Sequence, residues 1–333
     1  MRPRLATVPL LLLGLGLASC ADKPPAEEAH ALTVVASTSA YGDIVKQVAG
    51  DSVTVESIIN RPSQDPHSYE ATPQDKLTLS HADLVVANGG GYDPFIDALT
   101  QDLGTPPSSI ITAVDLSPSL HADETGHEGE PGHEGDAGHD GGAHGAEETD
   151  SGHEGHDHSS FNEHVWYDLP TASAVAAEVA DHLGELDPGQ AAAFTANARD
   201  FSTGIDALEA RLHQLAQGDK GREFAMTEPV PYYLLTAAGL ADGTPEGFSG
   251  AIEAGRDVSP LLLNELDDKL SSGRISLLAY NPQTSGPQTE IVRQHAQAAG
   301  VPVVEFTETL PHGTDYLGWM GSNIDAVEQT LRD

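Results

Sequence analysis

One cysteine, Cys20, is all that the 333 residues contain. A lone thiol cannot close an internal disulfide, which excludes a disulfide-stapled scaffold. Basic residues are scarce too: 15 Lys and Arg stand against 52 Asp and Glu, a formal charge of -37. Nucleic acid and anionic membrane surfaces demand positive patches, so neither is expected as a partner. A long apolar run is also missing. The one candidate, Leu5 to Leu17, falls short of the roughly 20 residues of a spanning helix. Catalytic signatures are absent as well. There is no His-Glu-x-x-His helix and no nucleophile elbow, so nothing in the sequence points to a hydrolase.

What is present begins with an address. The opening MRPRLATVPLLLLGLGLASC joins two arginines to a short apolar core and a small-residue end. This pattern predicts an export signal over residues 1–20. Its last four residues, LASC, resemble a bacterial lipobox, which implies that Cys20 becomes the lipidated first residue of the mature chain. Residues 21–30 then form a polar linker to the outer face of the cell membrane. The other reading of Cys20 is a free or intermolecular thiol.

Residues 121–158 hold half of the sixteen histidines and no apolar side chain larger than alanine. Such a stretch buries too little apolar surface to repay its conformational entropy, so it is expected to be a disordered loop inserted in a folded lobe. It reads either as a solvated acidic linker or as a low-affinity metal collector. Dense histidine among carboxylates favours the collector. His127, His133, His139 and His153 each begin a near-repeat with an acidic residue and glycine, His156 is followed by Asp157, and His144 and His158 add to the set. Repetition suits many weak sites better than one rigid site.

The rest, about 275 residues, is enough for one large or two medium domains. LTVVAST, VTVESII, DLVVANGGG and SSIITAVDL alternate with helical segments, and so do EFAMTE, RISLLAYN and VPVVEFTETLP. Alternation of this kind predicts parallel sheets covered by helices. Between the two sets, DLPTASAVAAEVADHLGELDP begins a helix that continues from GQAAAF. Its apolar stripe, Phe194, Ala198, Phe201, Ile205, Leu208 and Leu212, advances in steps of 3 and 4 and is core packing. The expectation is an α/β protein of two lobes, each a parallel sheet flanked by helices, joined by one long rigid helix. The N-terminal lobe takes residues 31–170 with the insertion at 121–160, the connecting helical region 171–218, and the C-terminal lobe 219–333. Ligands of open α/β sheets bind at the carboxyl ends of strands, here in the cleft between lobes.

Three segments offer cation ligands on that cleft: DPHSYE with His67, FNEHVWYDL with His164 and AMTEPVPYY with Glu228. Taken singly, each reads as well as a hydrogen-bonded polar residue. His81, His182, His295 and His312 read as ordinary surface or core residues. Trp166 and Asp168 flank His164 and read equally as shield and orienter, or as a core aromatic and a helix cap.

Together, PHSYE-TP, ADLVV-NG, the histidine-rich insertion just before HVWYDLP, YNPQT and GVPVVEFTETLP resemble the zinc/manganese ABC-transporter substrate-binding lipoprotein family, over nearly the whole mature chain. The resemblance implies two α/β lobes on one rigid helix, one divalent cation held between them, and delivery to the permease of an ABC importer. His67 and His164 match the family's first two ligands and Glu228 the third, a place that is His in many zinc-binding members and Glu in manganese-binding ones. For the fourth, the resemblance implies an Asp after the strand RISLLAYN, where this chain has Thr284. Water, Asn281 or another carboxylate is left to complete the shell. Two imidazoles and one carboxylate suit tetrahedral zinc, and manganese wants more oxygen. The insertion favours Zn2+, with Mn2+ as the alternative cargo. A monomer is implied, and a surface adhesin is the remaining alternative.

Overall fold

The computed structural model describes residues 31–61, 64, 66–120, 161–218 and 221–332. The expectations for the export signal, Cys20, the linker and the histidines from His127 to His158 lie outside the described residues.

Two parallel four-stranded sheets carry the fold. In the first, β1 (Thr33–Thr38) pairs with β2 (Thr54–Ile59) on one side and β3 (Leu84–Ala87) on the other, and β3 with β4 (Ile110–Thr112). The second repeats that order with β5 (Glu223–Met226) between β6 (Ala241–Asp242) and β7 (Ile275–Tyr280), and β8 (Val303–Glu305) beyond β7. Val34, Val35, Val85, Val86, Leu277 and Leu278 are buried on both faces of their strands. That explains why these strands read as unbroken apolar runs.

Helices α1 (Ser39–Ala49), α2 (Pro73–Leu79) and α3 (Pro94–Leu103) belong to the first sheet. The helical region between the sheets holds α4 (Leu169–Leu186) and then the expected long helix, α5 (Ala191–Gly218), which turns from α4 at Asp187–Gln190 and packs along it. Asp187 and Gly189 break the run, with the Gly189 amide donating to Asp187 Oδ1 at 3.0 Å. Helix α5 has 28 residues, which spans about 42 Å. Its predicted stripe from Phe194 to Leu212 is buried throughout. Burial contributes about 2 kcal/mol for each large side chain, so packing rather than propensity holds this helix. The second sheet carries α6 (Tyr232–Ala237), α7 (Phe248–Glu253), α8 (Pro260–Ser271) and α9 (Pro287–Ala298), and α10 (Tyr316–Arg332) closes the chain against α5.

The described residues from Leu32 onward cluster as one compact unit. One hydrophobic cluster runs from Val34 through Trp166 and Phe201 to Leu277, so the core joins the two sheets through the helices.

Candidate metal centre

The carboxyl ends of both sheets meet around His67, His164 and Glu308, whose ligand atoms all lie within 4.8 Å of one another. His67 sits in the loop after β2. Thr72 and Asp75 fix the end of that loop with a reciprocal cap on α2, in which Asp75 Oδ2 accepts the Thr72 amide at 2.7 Å. Tyr69 donates to the same oxygen at 2.8 Å, so the segment PHSYE-TP is tied down two residues beyond the histidine.

The motif NGGGYD shapes the opposite wall. Gly89 has φ +79°, and a Cβ there would lie 2.3 Å from Thr112 Cγ2. Only glycine suits both constraints. The turn is held by Asp93, which accepts the Asn88 and Gly89 amides at 2.7 and 2.8 Å. It delivers Tyr92 to the pocket, where the rings of Tyr92 and His67 stand edge to face at 5.0 Å.

His164 is completely buried. Its Nδ1 lies 2.7 Å from Asn162 Oδ1, an acceptor, so the proton sits on Nδ1 and the lone pair on Nε2. Asn162 is held in turn by donating to Pro229 O at 2.9 Å and accepting from the Tyr233 hydroxyl at 2.6 Å. Nε2 of His164 is buried with no hydrogen-bond partner. A fixed tautomer with one unsatisfied lone pair is the arrangement of a metal-ligating histidine. Burial, and then His67, hold its pKa well below the ordinary histidine value, so the ring stays neutral.

Glu308, three residues beyond β8, is the carboxylate that sequence reasoning missed. It lies in the segment VPVVEFTETLP, which the sequence predicts as a strand to its end. The strand stops at Glu305, and Thr307, Glu308 and Thr309 turn into the cleft. Gln283 Oε1 accepts the Glu308 amide at 2.7 Å and fixes that turn.

Glu228 follows β5, is buried, and stands outside the group of three. It connects to the group through Asn281, whose Nδ2 donates to Glu228 Oε2 and, at 2.7 Å, to Glu308 Oε1. Thr284 donates its hydroxyl to Glu228 Oε2 at 2.6 Å, so the residue standing at the implied fourth place supports a carboxylate. Trp166 flanks His164 with ring centroids 5.1 Å apart. Asp168 begins α4 and accepts from the Thr171 hydroxyl at 2.5 Å, which makes it a helix-end residue. His81 and His312 are exposed, and His182 and His295 pair with Glu178 and Asp267 away from the cleft.

Two further carboxylates stand above. Glu163 and Glu253 form a second group with His67 within the same 4.8 Å limit. Burial, then the nearby Glu253, push the Glu163 carboxyl up to about 8; burial, then Glu228, push Glu253 up to about 7. Four carboxyls crowded beside the neutral imidazole of His164 repel one another once ionised, and a cation among them relieves that repulsion.

Two parallel α/β sheets on a helical pair, with a pocket of imidazole and carboxylate where the strand ends meet, define a solute-binding protein for a metal cation. The chain belongs to the family described as zinc-uptake complex component A, periplasmic, whose model matches residues 34–330. It is 24% identical to the manganese ABC transporter substrate-binding lipoprotein scaA of Streptococcus gordonii, over 97% of this chain and 96% of that one. Among solved structures it is similar to the periplasmic zinc binding protein TroA from Treponema pallidum, at 22% identity and a TM-score of 0.67, covering 90% of this chain and 99% of that one. It is also similar to the laminin binding protein Lmb of Streptococcus agalactiae, described as having adhesin and metal transporting activity, at 21% identity and a TM-score of 0.65, covering 90% and 99%. The protein is therefore a substrate-binding component of a metal ABC transporter, a class that works with a membrane permease and is not enzymatic. No helix of the described residues is long and apolar enough to cross a membrane.

Proposed function

We propose that this protein captures Zn2+ outside the cytoplasm, between its two lobes, and passes it to the permease of an ABC importer. The observation that carries the reading is the convergence of His67, His164 and Glu308, with the His164 lone pair buried and unpartnered. In this reading the three side chains are ligands, and Glu228 completes the shell or steadies it through Asn281. Zinc lies above manganese in affinity at sites of nitrogen and oxygen donors, so the pocket takes Zn2+ when both ions are present. Manganese is the second reading. Glu308 raises the carboxylate share beyond the sequence expectation, and oxygen donors suit Mn2+. The manganese name of the scaA relative supports it too.

The mature chain begins at Cys20 in this account, lipid-anchored to the outer face of the cell membrane and monomeric, with residues 21–30 as linker. Residues 31–170, 171–218 and 219–333 are first lobe, connecting region and second lobe. His127, His133, His139, His144, His153, His156 and His158 hold further ions weakly. An adhesin role rests on the likeness to the laminin binding protein alone.

Elemental analysis after dialysis against dilute Zn2+ tests the reading. One ion should survive dialysis in the protein lacking residues 121–158 and be lost in His164→Ala. Retention of that ion in His164→Ala would overturn it.

A further inference from the structure

His67 belongs to both groups of ligands. Its Nε2 lies 3.7 Å from Glu308 Oε2 on one side, and its Nδ1 lies 3.4 Å from Glu163 Oε1 on the other. The side-chain exposure falls in order along this line, from Glu253 at 26% and Glu163 at 18% through His67 at 14% to Glu308 and His164 at 0%. The group of His67, Glu163 and Glu253 therefore faces solvent, and the group of His67, His164 and Glu308 is the floor. Glu163 precedes α4, and Glu253 ends α7 in the other lobe, so the upper group draws on both sides of the cleft.

A neutral imidazole offers a lone pair on one nitrogen at a time. His67 can hold a cation at Nδ1 beside Glu163 and Glu253, or at Nε2 beside His164 and Glu308. It cannot hold both. The shared ring excludes two simultaneous ions and permits one ion to be in either place.

We propose that His67, Glu163 and Glu253 form a receiving site for the divalent cation, from which it descends to the buried group as His67 exchanges one ring nitrogen for the other. This rests on the reading of the buried group as the cation site. The physical gain is in dehydration. Moving an ion from water directly to completely buried donors strips its hydration in one step, a large desolvation barrier. Partly exposed carboxylates replace part of the hydration shell first. The ring proton occupies whichever nitrogen is not holding the ion: Nε2–H faces Glu308 in the first state and Nδ1–H faces Glu163 in the second. The exchange runs through water reaching His67 and changes the net proton count by none. His164 Nε2, buried without a partner, marks the destination.

A station on the path speeds arrival and departure alike without setting the final affinity. The test is stopped-flow mixing of the whole chain with dilute Zn2+, read by fluorescence of Trp166, whose ring lies 5.1 Å from that of His164. Release to an excess chelator is timed in the same way. The double variant Glu163→Gln with Glu253→Gln keeps side-chain size and removes the carboxylate charges that hold the cation. Capture and release should both slow by about tenfold, and Kd should move by less than about threefold. Glu163→Asp with Glu253→Asp, which keeps the carboxylates, should regain most of the rate and guards against a folding artefact. Unchanged rates in the Gln pair would overturn the proposal, as would slower capture with unchanged release, which is the signature of lost attraction. A wild-type chain that binds no Zn2+ tightly would overturn the reading of the buried group and the receiving site with it.

Discussion

Tyr92 donates its hydroxyl to Glu308 Oε2 at 3.1 Å, joining the glycine turn of the first sheet to the loop beyond the last strand of the second. Both side chains are completely buried. A buried carboxylate held by a neutral donor is aimed without being neutralised, so it remains a competent ligand. Tyr92→Phe keeps the ring against His67 and removes only the hydroxyl. Zn2+ affinity should fall by about tenfold, within the range for loss of a ligand's supporting hydrogen bond. A chelator competition titration checks this, and an unchanged Kd would remove Tyr92 from the account.

Glu308 and Thr284 separate the two assignments of the remaining ligand. Glu308→Ala removes a donor from the group of three and should weaken Zn2+ binding by more than about a hundredfold. Thr284→Val removes one bond to Glu228 and should cost about tenfold. Isothermal titration of both variants measures the difference. The reverse order would take the ligand role from Glu308.

Acid and base act on the cation-free pocket in opposite senses. His164, held below its ordinary value, gives the folded state fewer protons than the unfolded one in mildly acidic solution, so its contribution rises with pH up to about 6.5. Glu163 at about 8 and Glu253 at about 7 are raised, so the folded state keeps protons that the unfolded chain has lost. Their contribution is complete in acid and is lost as pH rises through 7 and 8. Between about pH 6.5 and 8 the carboxyls govern. The Tm of the metal-free protein should therefore decline across that window, and Zn2+ uptake at pH 7 should release protons. Calorimetry in buffers of different ionisation enthalpy measures that release. A flat Tm with no release would contradict the assigned protonation.

Deleting Glu124 to His158 should lower the total Zn2+ bound at high concentration and leave the one tight ion in place. Slower transfer from dilute metal should accompany it. Elemental analysis at two Zn2+ concentrations checks the stoichiometry, and loss of the tight ion would mean that the histidine-rich segment supplies a ligand.

Much of the fold is legible in the sequence because strands buried on both faces leave unbroken apolar runs, as at LVVA of β3 and ISLLAY of β7. The helical connection is legible as a stripe, though its turn at Asp187 hides between two long helical patterns. His67 and His164 stand out because each sits in a distinctive local motif. Glu308 does not. It follows a strand of three residues whose apolar pattern continues through Phe306, so periodicity alone extends the strand past the point where it ends. Its signal was available in composition: Glu308 interrupts the second-lobe segment at the place where a strand's carboxyl end faces the cleft. The role of Asn281 as a bridge depends on two carboxylates meeting from β5 and β8, which no local pattern encodes.

The most direct measurement is anomalous diffraction from crystals of the zinc-loaded protein, with data on both sides of the zinc absorption edge. One strong peak is expected in the cleft, about 2.0–2.2 Å from His67 Nε2, His164 Nε2 and a Glu308 oxygen. A peak that leaves Glu308 or His164 outside bonding distance, or no ordered zinc in the cleft, would contradict it.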